Sequence, residues 1–143
     1  MLKEAQEEDD KTGLSRCYNI MSQIYTVKRL DSMAFEWQLK EIELTEKYDL
    51  ENYNISQTYS QISSYYINTN QPEKALEALK KADATAYSPT QKISVQLEYV
   101  NYYSKFGDMQ AAEKILNECK TAFDQDKRLW SIKKRLYNIE YVY

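Results

Sequence analysis

Histidine is absent from this chain of 143 residues, and glycine, proline and cysteine occur only twice each. Without histidine, the usual residue of general acid–base sites and of many metal sites is missing. Two glycines cannot form a glycine-rich phosphate-binding loop. Cys17 and Cys119 lack the spacing of a redox or metal-binding pair, so we expect both to pack as small apolar residues.

The 22 acidic residues show no spacing that pairs two carboxylates in an apolar setting. We therefore expect them on solvated helix faces rather than in an acid–base pair. Together with the missing histidine, this predicts a protein that is not an enzyme. It also predicts no catalytic residues, no cofactor and no metal site.

Long apolar runs are also missing, since none approaches the roughly 18 residues of a membrane span. No signal-peptide pattern follows Met1. We expect a soluble segment without membrane insertion, either cytoplasmic or the extracytoplasmic part of a membrane sensor. The formal net charge of −3 gives no electrostatic basis for binding nucleic acid.

So few glycines and prolines argue against a β-protein, because each tight turn between strands favours such residues. Leucine, glutamine, glutamate, lysine and alanine are plentiful instead, and all five are good helix formers. The aromatic content of 13% argues against a disordered chain. The composition predicts an all-α domain.

The segment from Tyr59 to Ala82 contains the unit around which the chain is organised, a pair of amphipathic helices. Tyr59, Ile62 and Tyr66 lie three and four residues apart, as on one face of a helix. Pro72 suits the first turn of the second helix. Such a hairpin is too small to bury its own apolar surface, so it requires neighbours of the same kind.

Three hairpins are predicted, at about residues 12–48, 52–86 and 89–123, with a further helix at about 126–143. Ala34, Ala75 and Ala112 each follow a predicted turn, at intervals of 41 and 37 residues. Small residues at such positions allow two helices to approach closely. We expect a single domain, and also a fragment of a longer protein because the chain begins and ends inside helical pattern.

Several residues predict where these helices begin and end. Ser88 and Gln91 have capping-box spacing around Pro89 at a first helical position. Gly107 suits a left-handed helix end. Asp31 with Ser32 offers capping oxygens for the second helix.

The phased small and aromatic residues resemble the pattern of the tetratricopeptide repeat (TPR) family. The middle hairpin matches that pattern at Tyr59, Ser63, Tyr66, Ala75, Leu79 and Ala82. The third matches it at Tyr103, Ala112, Leu116 and Cys119, and the first at Tyr18, Ser22, Tyr25 and Ala34. The chain departs from the pattern at Gln38, Glu41, Gln96 and Val100. The intervals exceed the family's usual length of about 34 residues, as in the longer bacterial type found in Bacteroidetes regulators.

The resemblance implies a right-handed α-solenoid of antiparallel helix hairpins, with about seven helices. In the family, ligands lie in a concave groove lined by the first helix of each hairpin. Carried over, the groove residues are Asn19, Gln23, Gln57, Ser60, Ser64, Asn68, Leu97, Asn101 and Lys105. Their polar, nearly uncharged character suits hydrogen bonds to an extended peptide backbone. The alternative is that they form solvated faces and that the binding surface lies elsewhere.

The resemblance also implies a non-catalytic scaffold that binds a protein or peptide. We expect the sensory or interaction segment of a bacterial signalling or transcriptional regulator. The alternative is a self-association module, a homodimer formed through the final helix. Its contact stripe would consist of Leu129, Trp130, Ile132 and Leu136. The sequence does not identify the partner, since specificity in such folds depends on a few surface residues.

Overall fold

The computed structural model describes residues 10–125, which form six α-helices and no strand. The helices are α1 Lys11–Val27, α2 Asp31–Tyr48, α3 Ile55–Asn68, α4 Pro72–Thr85, α5 Pro89–Phe106 and α6 Met109–Gln125. The prediction of an all-α fold built from helix hairpins is therefore confirmed. The final helix predicted at about 126–143 lies outside the described residues. So does its proposed self-association stripe of Leu129, Trp130, Ile132 and Leu136.

The helices pack as three hairpins that stack in chain order. α1 packs on α2, α3 on α4, and α5 on α6. Between hairpins, α2 packs on α3, while α5 packs on both α3 and α4. Within the described residues, α1 and α3 do not pack directly against each other, so the first hairpin is joined to the second through α2.

Apolar side chains form two clusters at these contacts. The central cluster, drawn from α2 to α5, consists of Ile42, Ile55, Tyr59, Ile62, Ala78, Ala82 and Val95. The C-terminal cluster, between α5 and α6, consists of Ile93, Leu97, Val100, Ala112, Leu116 and Cys119. The repeated small residues Ala34, Ala75 and Ala112 are all buried, as close helix packing requires.

Most of the predicted helix ends are present. The Ser88 hydroxyl accepts a hydrogen bond from the Gln91 amide at 3.1 Å, and Pro89 begins α5. Gly107 ends α5 in the left-handed conformation. Asp31, however, does not cap α2: it is the first residue of the helix, and Leu30 precedes it without a side-chain cap.

The reason lies in the turn before α2. The Leu30 amide donates to the Tyr25 carbonyl at 2.9 Å, and Arg29 adopts a φ of 57°. This hydrogen bond fixes Leu30 as the last residue of the turn and places Asp31 inside the first helical turn. A carboxylate there still interacts favourably with the helix dipole.

Gly107 allows a test of this local geometry. Its φ is +98°, and a Cβ added there would meet no atom within 4 Å. Gly107→Ala should therefore lower the free energy of unfolding by about 1 kcal/mol through backbone strain alone. Denaturant unfolding followed by circular dichroism measures this loss. Gly107→Asn is the control and should lose less, because asparagine tolerates the left-handed region. An equal or larger loss for asparagine would contradict the explanation.

Candidate protein-interaction surface

The nine predicted groove residues lie on α1, α3 and α5, the first helices of the three hairpins. Asn19 and Gln23 are on α1, Gln57, Ser60, Ser64 and Asn68 on α3, and Leu97, Asn101 and Lys105 on α5. The four residues on α3 line two adjoining pockets. The predicted groove residues on α1 and α5 line neither pocket.

The first of these, the α2–α3 pocket, has a volume of about 310 Å³. Ser64 and Asn68 line this pocket, as does the buried Gln38. The Gln38 amide donates a hydrogen bond to the side-chain oxygen of Gln61 at 3.1 Å. Tyr65 forms one side of the pocket. Its ring stacks on Phe35 with centroids 4.1 Å apart, which fixes the aromatic wall.

The second, the α3–α5 pocket, has a volume of about 320 Å³. Its lining residues are polar: Ser56, Gln57, Ser60, Gln61, Ser64, Gln91, Ser94 and Glu98. Gln61 and Ser64 line both pockets, so the two form one continuous surface over α3, which we name the polar groove.

Glu98 is the charged residue of the α3–α5 pocket, and it is buried. Its carboxylate accepts hydrogen bonds from the Ser64 hydroxyl at 2.8 Å and from the Asn101 amide at 3.3 Å. Asn101 therefore does not line the pocket itself but holds Glu98, which does. Both of these donors are neutral side chains.

Leu97 was predicted to line the groove, but it is fully buried in the C-terminal cluster. The reason is that α5 packs against α3, α4 and α6 at once, so a wide arc of this helix is covered. Lys105 is exposed in the last turn of α5, away from both pockets.

Asn19 and Gln23 belong to a different arrangement, centred on Glu41 of α2. Glu41 is only 1% exposed, and its carboxylate accepts from Asn19 at 3.2 Å, from Asn52 at 2.8 Å and from Thr58 at 3.1 Å. Gln23 in turn donates to the Asn19 side-chain oxygen at 2.7 Å. We name Glu41 with its three donors the Glu41 network. It links α1, the linker before α3, and α3 itself.

Glu41 and Glu98 correct the expectation that the carboxylates lie on solvated faces, since both are buried. One observation in the sequence pointed to Glu41. It lies on the apolar stripe of α2 beside Ala34, Ile42 and Thr45, all of which are buried. A charged residue on such a stripe requires polar partners, and those partners come from distant segments of the chain.

A pair of exposed tyrosines adjoins the polar groove. Tyr53 and Tyr87 are each 65% exposed, and their ring centroids lie 5.6 Å apart. Gln91, which lines the α3–α5 pocket, forms hydrogen bonds to the backbone of both tyrosines. Its amide donates to the Tyr53 carbonyl at 2.8 Å, and its oxygen accepts from the Tyr87 amide at 3.0 Å. The tyrosine pair is thus fixed at one end of the groove.

Tyr59 of α3 lies on the other side of the helix, in the central cluster. Its hydroxyl donates to the Glu46 carboxylate. Burial raises the pKa of Tyr59, and the hydrogen bond and charge of Glu46 raise it further. The hydroxyl therefore remains a hydrogen-bond donor that ties α3 to α2.

Both cysteines are buried free thiols. Cys119 packs in the C-terminal cluster, where burial, with a smaller contribution from the charge of Glu118, raises the pKa of its thiol from 9.0 to about 11. Among residues 10–125, no group of three or more cysteine, aspartate and glutamate residues could hold a metal ion.

The raised pKa of Cys119 predicts slow alkylation. At about pH 8, the thiolate fraction should be about a hundredfold lower than for an unperturbed thiol, and burial should slow the reaction further. Iodoacetamide labelling resolved by peptide mass spectrometry should therefore modify Cys119 at least a hundredfold faster in guanidinium chloride than in buffer. Equal rates in the two solutions would show that Cys119 is accessible in the folded chain.

A family model described as 26S proteasome subunit RPN7 matches residues 26–143. No curated protein and no solved structure shows significant similarity to the chain. In the part of the chain that the structure describes, no helix is long and apolar enough to cross a membrane.

The family match corrects the prediction of a bacterial TPR family, which was wrong. The physical reason is that any stack of helix hairpins requires small residues at helix crossings and larger apolar residues between them. The spacing of Ala34, Ala75 and Ala112 therefore indicates how the hairpins pack. It does not distinguish one family of stacked hairpins from another.

Proposed function

The chain belongs to the RPN7 family of 26S proteasome subunits, and from this membership we propose that it is a non-catalytic subunit of a proteasome-type assembly. In this role it binds neighbouring protein subunits. The membership supports a helical protein-interaction scaffold and replaces the bacterial regulator predicted above. Stacked hairpins suit this role, because they offer extended surfaces to other chains.

The observation that supports a protein-binding surface on this chain is the continuous polar groove over α3. Its hydroxyl and amide side chains both donate and accept hydrogen bonds, as the main chain of an extended partner segment requires. The described lining includes neither lysine nor arginine, and its charges come from Asp31 and Glu98. We therefore assign the groove to a polypeptide segment.

The tyrosine pair supports the same assignment. Tyrosine is enriched in protein interfaces, where its ring buries apolar area and its hydroxyl keeps a polar contact. Tyr53 and Tyr87 expose this area at one end of the groove. A partner segment lying in the groove would cover them as an anchor.

Two groove substitutions test the proposal. Gln57 and Asn68 are exposed residues near opposite ends of α3, and they line different pockets. The double variant Gln57→Arg with Asn68→Arg should keep the fold, because neither side chain is in the core. It should lower co-purification of the full chain with 26S proteasome particles at least tenfold.

The matched control is Gln110→Arg, which adds an arginine at an exposed position of α6 away from both pockets. It should co-purify like the unsubstituted chain. Circular dichroism establishes that both variants are folded. Failure of the unsubstituted chain to co-purify with proteasome particles would overturn the proposed function. Unchanged co-purification of the double variant would overturn the groove assignment.

A further inference from the structure

Ser60 is an exception among the buried serines of α3. It is only 8% exposed, and its Oγ is the buried side-chain polar atom that has no hydrogen-bond partner among the described residues. The other two have partners on α4: Ser56 donates to the Ala82 carbonyl at 2.8 Å, and Ser63 donates to the Ala75 carbonyl at 3.2 Å. A buried hydroxyl without a partner destabilises a fold, so its presence requires an explanation.

The surroundings of Ser60 indicate a ligand. It lines the α3–α5 pocket, whose volume of about 320 Å³ falls within the usual range for ligand sites. The two helices that form the pocket pack directly on each other, so its walls are held in place. A bound group that forms a hydrogen bond with Ser60 would satisfy the hydroxyl that the described chain leaves without a partner.

The lining of the pocket favours a neutral polar group. Glu98 is the charged side chain of this lining, and its carboxylate is already engaged within the chain. It accepts from Ser64 at 2.8 Å and from Asn101 at 3.3 Å, and it has a further interaction besides. A charged group would therefore enter without a counter-charge reserved for it, which is costly. An apolar group would leave the hydroxyls and carboxamides of the lining without partners.

The positions of two hydroxyls indicate which neutral group fits. Ser60 on α3 and Ser94 on α5 line the pocket from its two walls, and each hydroxyl both donates and accepts hydrogen bonds. A carboxamide carries donors and an acceptor in one planar group, so it can bind both walls at once. A partner's main chain has the same groups, but an extended segment lies along the mouth of a pocket and places side chains inside it.

We propose that the α3–α5 pocket binds the side-chain carboxamide of an asparagine or glutamine from an extended segment of a partner protein. The Ser60 hydroxyl donates to the carboxamide oxygen, and the Ser94 hydroxyl accepts from the carboxamide nitrogen. This inference rests on the proposed function, because it names the feature by which a neighbouring subunit is recognised in the polar groove.

Peptide selection tests this proposal even though the partner segment is unidentified. A phage-displayed library of random peptides is selected on the full chain. Peptides that also bind the chain carrying Gln57→Arg with Asn68→Arg are discarded, because they bind outside the groove. The remaining peptides should share an asparagine or glutamine at one position. A selection that yields no such position, or that yields a shared charged or apolar residue instead, would overturn the proposal.

A selected peptide is then synthesised in three forms and measured by calorimetry. The first keeps the carboxamide residue, the second carries an apolar residue of similar shape (leucine for asparagine, methionine for glutamine), and the third carries lysine. The carboxamide form should bind about tenfold more tightly than either of the others. A lysine form that binds as tightly as the carboxamide form would show that the pocket takes a cation, contrary to the proposal.

Variants of the chain locate the carboxamide. Ser60→Ala should reduce the advantage of the carboxamide form over the apolar form to about threefold, and adding Ser94→Ala should remove it. Ser32→Ala, at an exposed position of α2 outside both pockets, is the matched control and should preserve it. A full tenfold advantage in the double variant would place the carboxamide elsewhere and overturn the proposal.

Ser60→Ala also has a readout in the absence of peptide. Because the hydroxyl has no partner among the described residues, alanine should raise Tm by roughly 3 °C. Part of this rise comes from the higher helix propensity of alanine. A fall in Tm would show that the hydroxyl has a partner within the fold, and it would overturn the proposal even if peptide binding were weakened.

The two levels of assignment are separable. A chain that co-purifies with proteasome particles but shows no preference for the carboxamide peptide keeps the proposed function and loses the pocket assignment. A chain that binds this peptide through Ser60 and Ser94 but does not join proteasome particles keeps the pocket and loses the proposed function.

Discussion

Replacing Glu41 with alanine is expected to lower the free energy of unfolding by about 4 kcal/mol. The carboxylate is buried, and it accepts hydrogen bonds from Asn19, Asn52 and Thr58. Alanine would leave these three donors without an acceptor, and each buried donor left so costs about 1–3 kcal/mol. The partly exposed Asn19 and Asn52 can recover part of this loss by binding water, so the expected total lies below the sum.

The loss of stability in Glu41→Ala should be greatest in the first hairpin. In the described residues, α1 packs on α2 and has no direct packing with α3, so the Glu41 network is a hydrogen-bonded link between α1 and the second hairpin. Hydrogen exchange in Glu41→Ala should therefore accelerate most in α1. Amides of α5, which packs on three helices, should change least.

Two controls accompany Glu41→Ala in denaturant unfolding. Glu41→Gln keeps the shape and one acceptor, so it should lose about 2 kcal/mol. Glu43→Ala removes an exposed carboxylate from the same helix and should stay within about 0.5 kcal/mol of the unsubstituted chain. A loss below about 1 kcal/mol for Glu41→Ala would mean that the network does not stabilise the fold.

The hairpins could be predicted because the residues that define each helix and turn lie close together in the sequence. The stripe of Tyr59, Ile62 and Tyr66, the cap at Ser88 and the left-handed end at Gly107 each depend on residues close in sequence. The start of α3 was less predictable, and the helix begins at Ile55 rather than near residue 52. Asn52 accepts from the Asn54 amide while its own amide binds Glu41, so a tertiary contact holds this linker out of the helix.

The candidate site was predictable only where one helix carries it. Gln57, Ser60, Ser64 and Asn68 share a face of α3, and the structure brings them to one groove. The hydrogen-bond partners of Glu41 were not predictable, because they lie on three different segments and no local pattern connects them. The missing partner of Ser60 is likewise a property of the packed structure.

Leu97 shows how tertiary packing overrides a repeat pattern. Its position in the pattern belongs to the groove, but α5 also carries Val95 into the central cluster and Val100 into the C-terminal cluster. A helix that contacts three others buries more than one stripe. The departures at Gln96 and Val100 were the signs that this helix does not keep the register of the repeat.

Leu97→Ala is accordingly expected to lower the free energy of unfolding by about 3 kcal/mol. Leu97 is completely buried and packs with Leu116 and Cys119 in the C-terminal cluster. Truncation removes apolar contacts and leaves a cavity that the surrounding helices only partly close. Denaturant unfolding followed by circular dichroism measures the loss. Leu39→Ala, at a position 39% exposed on α2, is the matched control and should lose less than about 1 kcal/mol.

The same substitution distinguishes a core role from a groove role for Leu97. As a core residue, its truncation should loosen the contact between α5 and α6 and accelerate iodoacetamide labelling of Cys119, because both side chains belong to one cluster. Binding of a peptide to the polar groove should change little while the variant is folded. A variant with unchanged stability and labelling but weakened peptide binding would instead return Leu97 to the groove. In that case, the side of α5 that faces α6 would have been assigned incorrectly.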